Sequence, residues 1–352
     1  MDTTLSHDAA KQARCVPGQH PPEEPMRRVK VLYIGGCGRS GSTLLDRMLG
    51  QVPGVCSLGE FTHLWSGLLH NAECGCGAAI RDCPFWRAVG ERAFGGWETV
   101  DVAEMLHLQR AVQRQRYVPF MMVPALWPTY REKLERYARV LGELYRGVQE
   151  ASGAALIVDS TKHYSGAFLL GRVAGLDLQV VHLVRDSRGV AFSWSKTVAR
   201  PEAAHRGAPM NRYSPGRSSC RWLGYNAGFE VLDRLGVPST FVRYEDLVRS
   251  PRIELERILE RAGVQPDGEA CSFIEGPEMS LRANHTVAGN PMRFRVGNIR
   301  LRMDDEWKSK FPPRHRRLVS VLTQPLLVRY GYAGEGPRDD GHRASFGVRR
   351  YA

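Results

Sequence analysis

The sequence predicts an α/β fold of three layers, with helices on both faces of a central parallel sheet and a helical insertion. Short apolar runs recur at residues 30 to 35, 55 to 59, 155 to 159, 178 to 184 and 239 to 243, with helical patterns between them. Strand and helix alternating in this way imply parallel pairing through right-handed crossovers. The first run ends in Gly35-Gly36 and enters a glycine loop that opens a helix near Thr43, the setting in which backbone N–H groups cradle an anion. At 352 residues, 43% hydrophobic and 24% charged, the chain can bury one full core of this kind.

Residues 1 to 29 are polar and Pro-rich without periodicity and read as a disordered arm. The main domain spans 30 to 333, and the Gly/Arg-rich stretch from 334 to 352 reads as a flexible tail. The interval between the second and third strands, residues 61 to 154, is long and carries a helix expected over Tyr130 to Glu150. An insertion there lies near the carboxyl edge of the sheet, where open α/β folds bind ligands, and is expected to act as a lid over the acceptor. No run reaches the roughly 18 to 20 apolar residues that span a bilayer, and the first residues lack the apolar core of a secretory signal, so a cytoplasmic protein is expected.

The net charge of +12 favours an anionic partner. Its arginines are dispersed and no aromatic-rich RNA motif is present, which argues against nucleic acid and for a cofactor bearing several phosphates. The eight cysteines are scattered, as expected of reduced thiols, except Cys74, Cys76 and Cys83 with His70 just before them. Those four groups could hold zinc or form a facultative disulfide, but their spacing is not a standard finger pattern. Packing in a loop, with no metal, is the expectation.

The loop Gly36-Cys37-Gly38-Arg39-Ser40-Gly41-Ser42-Thr43 has the glycine spacing of a Walker loop and Thr43 at its final hydroxyl, which makes the fold P-loop-type. Ser42, however, replaces the lysine that neutralises the phosphates in nucleotide triphosphatases, and a basic residue stands three positions earlier at Arg39. Gly-Arg-Ser-Gly-Ser-Thr closely resembles the loop of sulfotransferases that use 3′-phosphoadenosine 5′-phosphosulfate (PAPS). Arg185-Asp-Ser-Arg-Gly-Val-Ala-Phe-Ser193, after an apolar strand, resembles the motif with which that family holds the 3′-phosphate.

The resemblance to the carbohydrate-type, bacterial members of that family extends over most of residues 30 to 310. It implies sulfonyl transfer from PAPS, leaving 3′-phosphoadenosine 5′-phosphate (PAP), to a hydroxyl, phenol or amine, with no metal required. It implies cofactor contacts from Arg39, Ser40, Gly41, Ser42, Thr43, Arg185 and Ser193, from Tyr244 near the adenine, and from a late loop in which Arg293 is the better 3′-phosphate candidate and Arg295 the weaker. Asp305-Glu306-Trp307-Lys308 is similar to a Gly-Asp-Trp-Lys segment of cytosolic members, without its glycine. Lys162 matches a second catalytic cation. Glu60, ending the second strand, matches the base of carbohydrate-type members, and His163 is the alternative base. An alcohol must lose its proton as it attacks sulfur, so one of the two is needed. The motifs leave the acceptor open among natural-product scaffolds, glycosides and lipids, since its shape would be read by the insertion. The rivals are a P-loop kinase, opposed by Ser42 and the Arg185/Ser193 pair, and a non-catalytic nucleotide or nucleic-acid binder.

Overall fold

The computed structural model describes residues 28–196, 212–265 and 269–332. The expected arm and tail lie outside these residues, apart from Arg28 and Val29. Five parallel strands form the central sheet in the order β2 (Val55–Ser57), β3 (Leu156–Lys162), β1 (Val29–Gly35), β4 (Leu176–Val184), β5 (Ser239–Arg243). All five expected strands are present, and β3 runs three residues further than expected, to Lys162. Strand β1 is central because both its faces are apolar: Val31 and Tyr33 face one core cluster, Leu32 and Ile34 the other.

Helix α1 (Ser42–Leu49) turns Leu44, Leu45, Met48 and Leu49 onto the second face. The first face is covered from the insertion, through α2 (Leu64–Leu69), α3 (Pro84–Phe94), α4 (Val102–Val112), α5 (Val118–Met122) and α6 (Pro128–Ser152). The helix expected over 130 to 150 is α6, 25 residues long, with Leu134, Tyr137, Leu141, Leu144 and Val148 on its buried stripe. The insertion expected to act as a lid over the acceptor packs against the sheet. Trp65, Trp86, Tyr137 and Tyr145 share one core with Val31, Tyr33 and Ile157 of the sheet, so most of the segment is a structural layer.

Downstream lie α7 (Tyr164–Leu170), α8 (Ser187–Ser195), α9 (Pro215–Arg234), α10 (Tyr244–Arg249) and α11 (Pro251–Arg261). A small antiparallel sheet of β6 (Ile274–Glu275), β7 (Glu278–Leu281) and β8 (Gly297–Arg300) follows, then α12 (Trp307–Lys310) and α13 (Pro313–Arg329). The chain leaves β1 toward β2 and leaves β4 toward β5, in opposite directions from the centre of the sheet. That is a topological switch point, and the carboxyl ends of β1 and β4 there carry the glycine loop and Arg185.

Candidate active site

The glycine loop starts where β1 ends. Gly36 donates to the carbonyl of Lys162 (3.4 Å), which sets the loop beside the end of β3. Gly41 has φ 91°, and a Cβ there would lie 2.5 Å from the ring of Tyr244, so only glycine lets that ring close on the loop. Asp46, one turn into α1, accepts from Ser57 (2.7 Å) and ties the helix to β2. Burial pushes its carboxyl up to about 7, against the pull of the Ser57 hydroxyl.

Only three described residues other than glycine have positive φ: Arg39 (74°), Asn71 (47°) and Lys162 (73°). Two of them are the cations expected to face the reacting group. Left-handed backbone is costly for residues with a Cβ and gathers at functional sites. The Arg39 guanidinium lies over the Trp194 indole at 4.9 Å, and that indole donates to the Gly38 carbonyl (3.3 Å). Burial lowers the pKa of Arg39, and Glu60 opposes the shift.

Lys162 Nζ is ion-paired with Glu60 Oε1, and His63 Nε2 stands 3.6 Å from Glu60 Oε2. Burial disfavours the ionised form of Glu60, yet Lys162, and after it His63, outweigh burial and hold the carboxyl well below the usual carboxylate range. Behind this pair, buried Asp159 accepts from Tyr145 (2.7 Å) and from the hydroxyl of Thr161 (2.6 Å), and Thr161 in turn accepts from the Thr62 amide (3.1 Å). This network fixes the end of β3 against the turn that follows Glu60. His163 packs edge-on to Tyr225, and burial, with Lys162 adding to it, lowers its pKa to about 4, so the imidazole is neutral at pH 7.

Arg185 directly follows β4 and is almost fully buried. It donates to the Arg39 carbonyl (3.2 Å), pairs with Asp304 Oδ2 (2.9 Å) and lies over the Tyr244 ring at 4.6 Å. Arg39, Arg185 and Tyr244, some 200 residues apart in sequence, therefore meet around one loop. Ser193 is half-buried on α8, next to Trp194. Trp307 is buried under α8 with Arg188 over its ring (4.8 Å), which brings the segment carrying Asp304 back across this edge.

Arg293 departs from expectation. Its guanidinium donates inward to the carbonyls of Thr286 (2.8 Å), Val287 (3.1 Å) and Glu73 (2.8 Å), and the residue is 1% exposed, so it clamps the late loop to the insertion instead of presenting its charge to a phosphate. Arg295 is exposed. His70 ends α2, exposed, and does not join the cysteines. Their fourth neighbour is His285, from the late loop.

A sequence profile of the sulfotransferase family matches residues 32–267. The chain belongs to the sulfotransferase family. Three solved structures resemble this sulfotransferase. They are the sulfotransferase domain of the Synechococcus PCC 7002 olefin synthase (22% identity, 88% of this chain and 98% of that one, TM-score 0.49), the sulfotransferase domain from the curacin biosynthetic pathway (16%, 87% and 99%, TM-score 0.47), and sulfotransferase STF9 from Mycobacterium avium (14%, 89% and 79%, TM-score 0.43). No curated protein matches the chain. Among the described residues of this sulfotransferase no helix is long and apolar enough to cross a membrane.

Three further residues near the loop of the sulfotransferase were not among those expected from the sequence. Trp194 covers Arg39, Asp304 pairs with Arg185, and buried Arg47 holds the late segment by donating to the carbonyls of Arg282 (2.7 Å) and Arg295 (2.6 Å). Trp194 alone could have been suspected, since it follows Ser193 in the motif.

Proposed function

We propose that this sulfotransferase uses PAPS as donor and transfers its sulfonate to a hydroxyl of a small acceptor, with Glu60 as base and Lys162 and Arg39 as the cations at the reacting group. The observation that carries this reading is the half-buried Glu60–Lys162 pair set beside the glycine loop and Arg39, with both cations in left-handed backbone. A transferring sulfonate bears less charge than a terminal phosphate, so loop N–H groups, the hydroxyls of Ser40, Ser42 and Thr43, and two cations can balance it. Gly41 lends its backbone, and Tyr244, whose ring closes on the loop, is the proposed neighbour of the adenine. Arg185, with Ser193, is the proposed partner of the 3′-phosphate, since its guanidinium is buried, charged and in contact with the loop backbone.

Paired with Lys162, Glu60 is ionised but weakly basic. A general base works best with a pKa near the operating pH. When the Lys162 ammonium turns to the oxygen leaving sulfur, the carboxylate loses the partner that depresses it and recovers basicity. The acceptor oxygen then forms its bond to sulfur, the bond from sulfur to the phosphate oxygen breaks, the acceptor proton passes to Glu60, and Lys162 and Arg39 offset the charge on the departing oxygen. One residue thus restrains the base and activates the leaving group.

The test is release of PAP from PAPS in the presence of a panel of hydroxylated acceptors, followed for wild type, Glu60→Gln and His163→Ala. Glu60→Gln should retain PAP binding and lose about 10²- to 10⁴-fold in kcat, the usual worth of a positioned base. Near-wild-type turnover in Glu60→Gln together with abolition in His163→Ala would move the role to His163, whose imidazole is neutral and available.

A further inference from the structure

Cys74, Cys76 and Cys83 reach the same point from a single loop of the insertion, and His285 arrives there from some 200 residues later; all four ligand atoms lie within 4.8 Å of one another. The Cys76 and Cys83 sulfurs are 3.8 Å apart, and His285 Nδ1 is 3.2 Å from Cys83 Sγ and 3.9 Å from Cys74 Sγ. Bonds to zinc of about 2.3 Å from sulfur and about 2.0 to 2.1 Å from nitrogen put tetrahedral corners about 3.8 Å apart for two sulfurs and about 3.6 Å for sulfur and nitrogen. The spacing of these four atoms therefore already has the scale of a zinc tetrahedron. It is far from the roughly 2.05 Å of a disulfide.

The surroundings are built to hold the four groups. Cys74 accepts at its carbonyl from Gly77 and donates its amide to Ala78 (2.9 and 2.8 Å), which folds Cys74 to Ala78 into a tight turn with two sulfurs on it. Cys83 caps the start of α3, donating its amide to Ala79 (2.9 Å). Gly75, between the first two cysteines, donates to the Thr286 carbonyl (2.9 Å), and a Cβ there would lie 2.1 Å from Asn284 Oδ1; a side chain would push the His285 loop away. The imidazole stacks on Phe85 (5.0 Å, 18°), and Trp86 Nε1 donates to the His285 carbonyl (2.9 Å). These contacts fix both ring plane and backbone, as the outer contacts of metal-bound histidines do.

We propose that Cys74, Cys76, Cys83 and His285 bind one structural zinc ion that staples the late loop to the insertion. Three thiolates and one imidazole at tetrahedral spacing suit zinc, and four protein ligands leave no open position for a substrate. The staple bears on the active edge through the loop it holds: Val287 donates to the Leu58 carbonyl (2.9 Å), Glu60 donates its amide to Ala288 (3.1 Å), and the Asn290 amide reaches the Thr43 hydroxyl (3.4 Å). Arg293 reinforces the same join through the Glu73 carbonyl. The zinc acts by positioning the backbone around Glu60 and has no part in the chemistry.

The experiment uses the full chain, expressed without a metal-affinity tag and purified in a reducing buffer. Elemental analysis should find about one zinc per chain, and exchange with cobalt should give the intense visible bands of tetrahedral cobalt–thiolate coordination. Cys76→Ser and His285→Ala should each lower zinc occupancy at least tenfold and lower Tm, while Cys220→Ser, outside the cluster, should leave both unchanged. Metal content at background, iron in place of zinc, a cobalt spectrum lacking thiolate bands, or a disulfide between any two of these cysteines by mass spectrometry would overturn the assignment. Should the variants fail to fold, the metal content and cobalt spectrum of the wild type decide alone.

Discussion

Replacing Arg185 by alanine should sharply reduce discrimination for the 3′-phosphate. The residue is 5% exposed, and its two terminal nitrogens already donate to the Arg39 carbonyl (3.2 Å) and to Asp304 (2.9 Å to the carboxylate). A charge-assisted hydrogen bond is worth about 1.5 to 3 kcal/mol, or roughly tenfold to hundredfold in affinity. The Asp304 carboxylate is a competing anion, however, and a phosphate must displace it or share the guanidinium with it. The net effect therefore belongs at the lower end, about tenfold, in Arg185→Ala. It should rise toward the upper end when Asp304→Ala is the background, because the competitor is gone. Asp304 is one-third exposed and can be solvated once unpaired, so Arg185→Ala strands no ion in the core, whereas Asp304→Ala leaves the buried Arg185 guanidinium without its carboxylate and should also lower Tm. Calorimetric titration of PAP and of adenosine 5′-phosphate against wild type, both single variants and the double variant forms the cycle. Arg185→Ala should weaken PAP and leave adenosine 5′-phosphate nearly unchanged, Asp304→Ala should tighten PAP, and Ser193→Ala should weaken it less than Arg185→Ala does. An unchanged ratio of the two affinities in Arg185→Ala would refute the assignment of this motif.

Other consequences are open to measurement. Because Lys162 holds the Glu60 carboxyl below the usual carboxylate range, the acid limb of kcat/KM for the donor should lie at lower pH than the acid limb of kcat, where Lys162 has turned away; a common limb in both profiles would refute the exchange. Between about 4 and about 7 folded Asp46 keeps a proton that the unfolded chain has released, so this group makes stability fall as pH rises; Asp46→Asn should flatten that slope in denaturant titrations, and an unaltered slope would count against the shifted carboxyl. At Arg39, φ 74°, glycine should be more stable than alanine by about 1 kcal/mol, the reverse of the usual order, with both variants lacking activity. Thermal unfolding with alanine equal to or above glycine would show that the left-handed backbone is not strained there.

The parts of the site legible in the sequence are those whose chemistry is local. A glycine loop between strand and helix, with Arg39 inside it, and an arginine eight residues before a serine each announce themselves within one supersecondary unit. The meeting of Glu60 with Lys162 was legible because Lys162 ends β3 and Glu60 lies just past the end of β2, and parallel strands bring such ends to one edge. What could not be read depends on contacts across the chain. Arg293 was expected at a phosphate because its loop carries two arginines, yet a sequence does not distinguish a guanidinium aimed at a ligand from one turned inward onto three carbonyls. The cysteine cluster drew in His70 as the nearest histidine along the chain, whereas the late loop returns His285 to the same point. The insertion was legible as helices, but its role as one layer of the core depends on Trp65, Trp86 and Tyr137 meeting the sheet.

The placement of the two cations explains why the site is assembled from strand ends and not from helices. Arg39 follows β1 and Lys162 ends the neighbouring β3, where the Gly36 amide bonds the Lys162 carbonyl and the strand register breaks between Tyr33 and Gly35. At such a break the backbone can take up a left-handed residue without disturbing the ladder behind it. The cost, of order 1 to 3 kcal/mol for each residue, is borne by the buried sheet and by the Asp159 network, which over-determine the local geometry. Glycine would relieve the strain at either position but would remove the charge. Under the proposed mechanism, a long cationic side chain in an unfavourable backbone at both positions is accounted for by its charge, set where Glu60 and the loop converge.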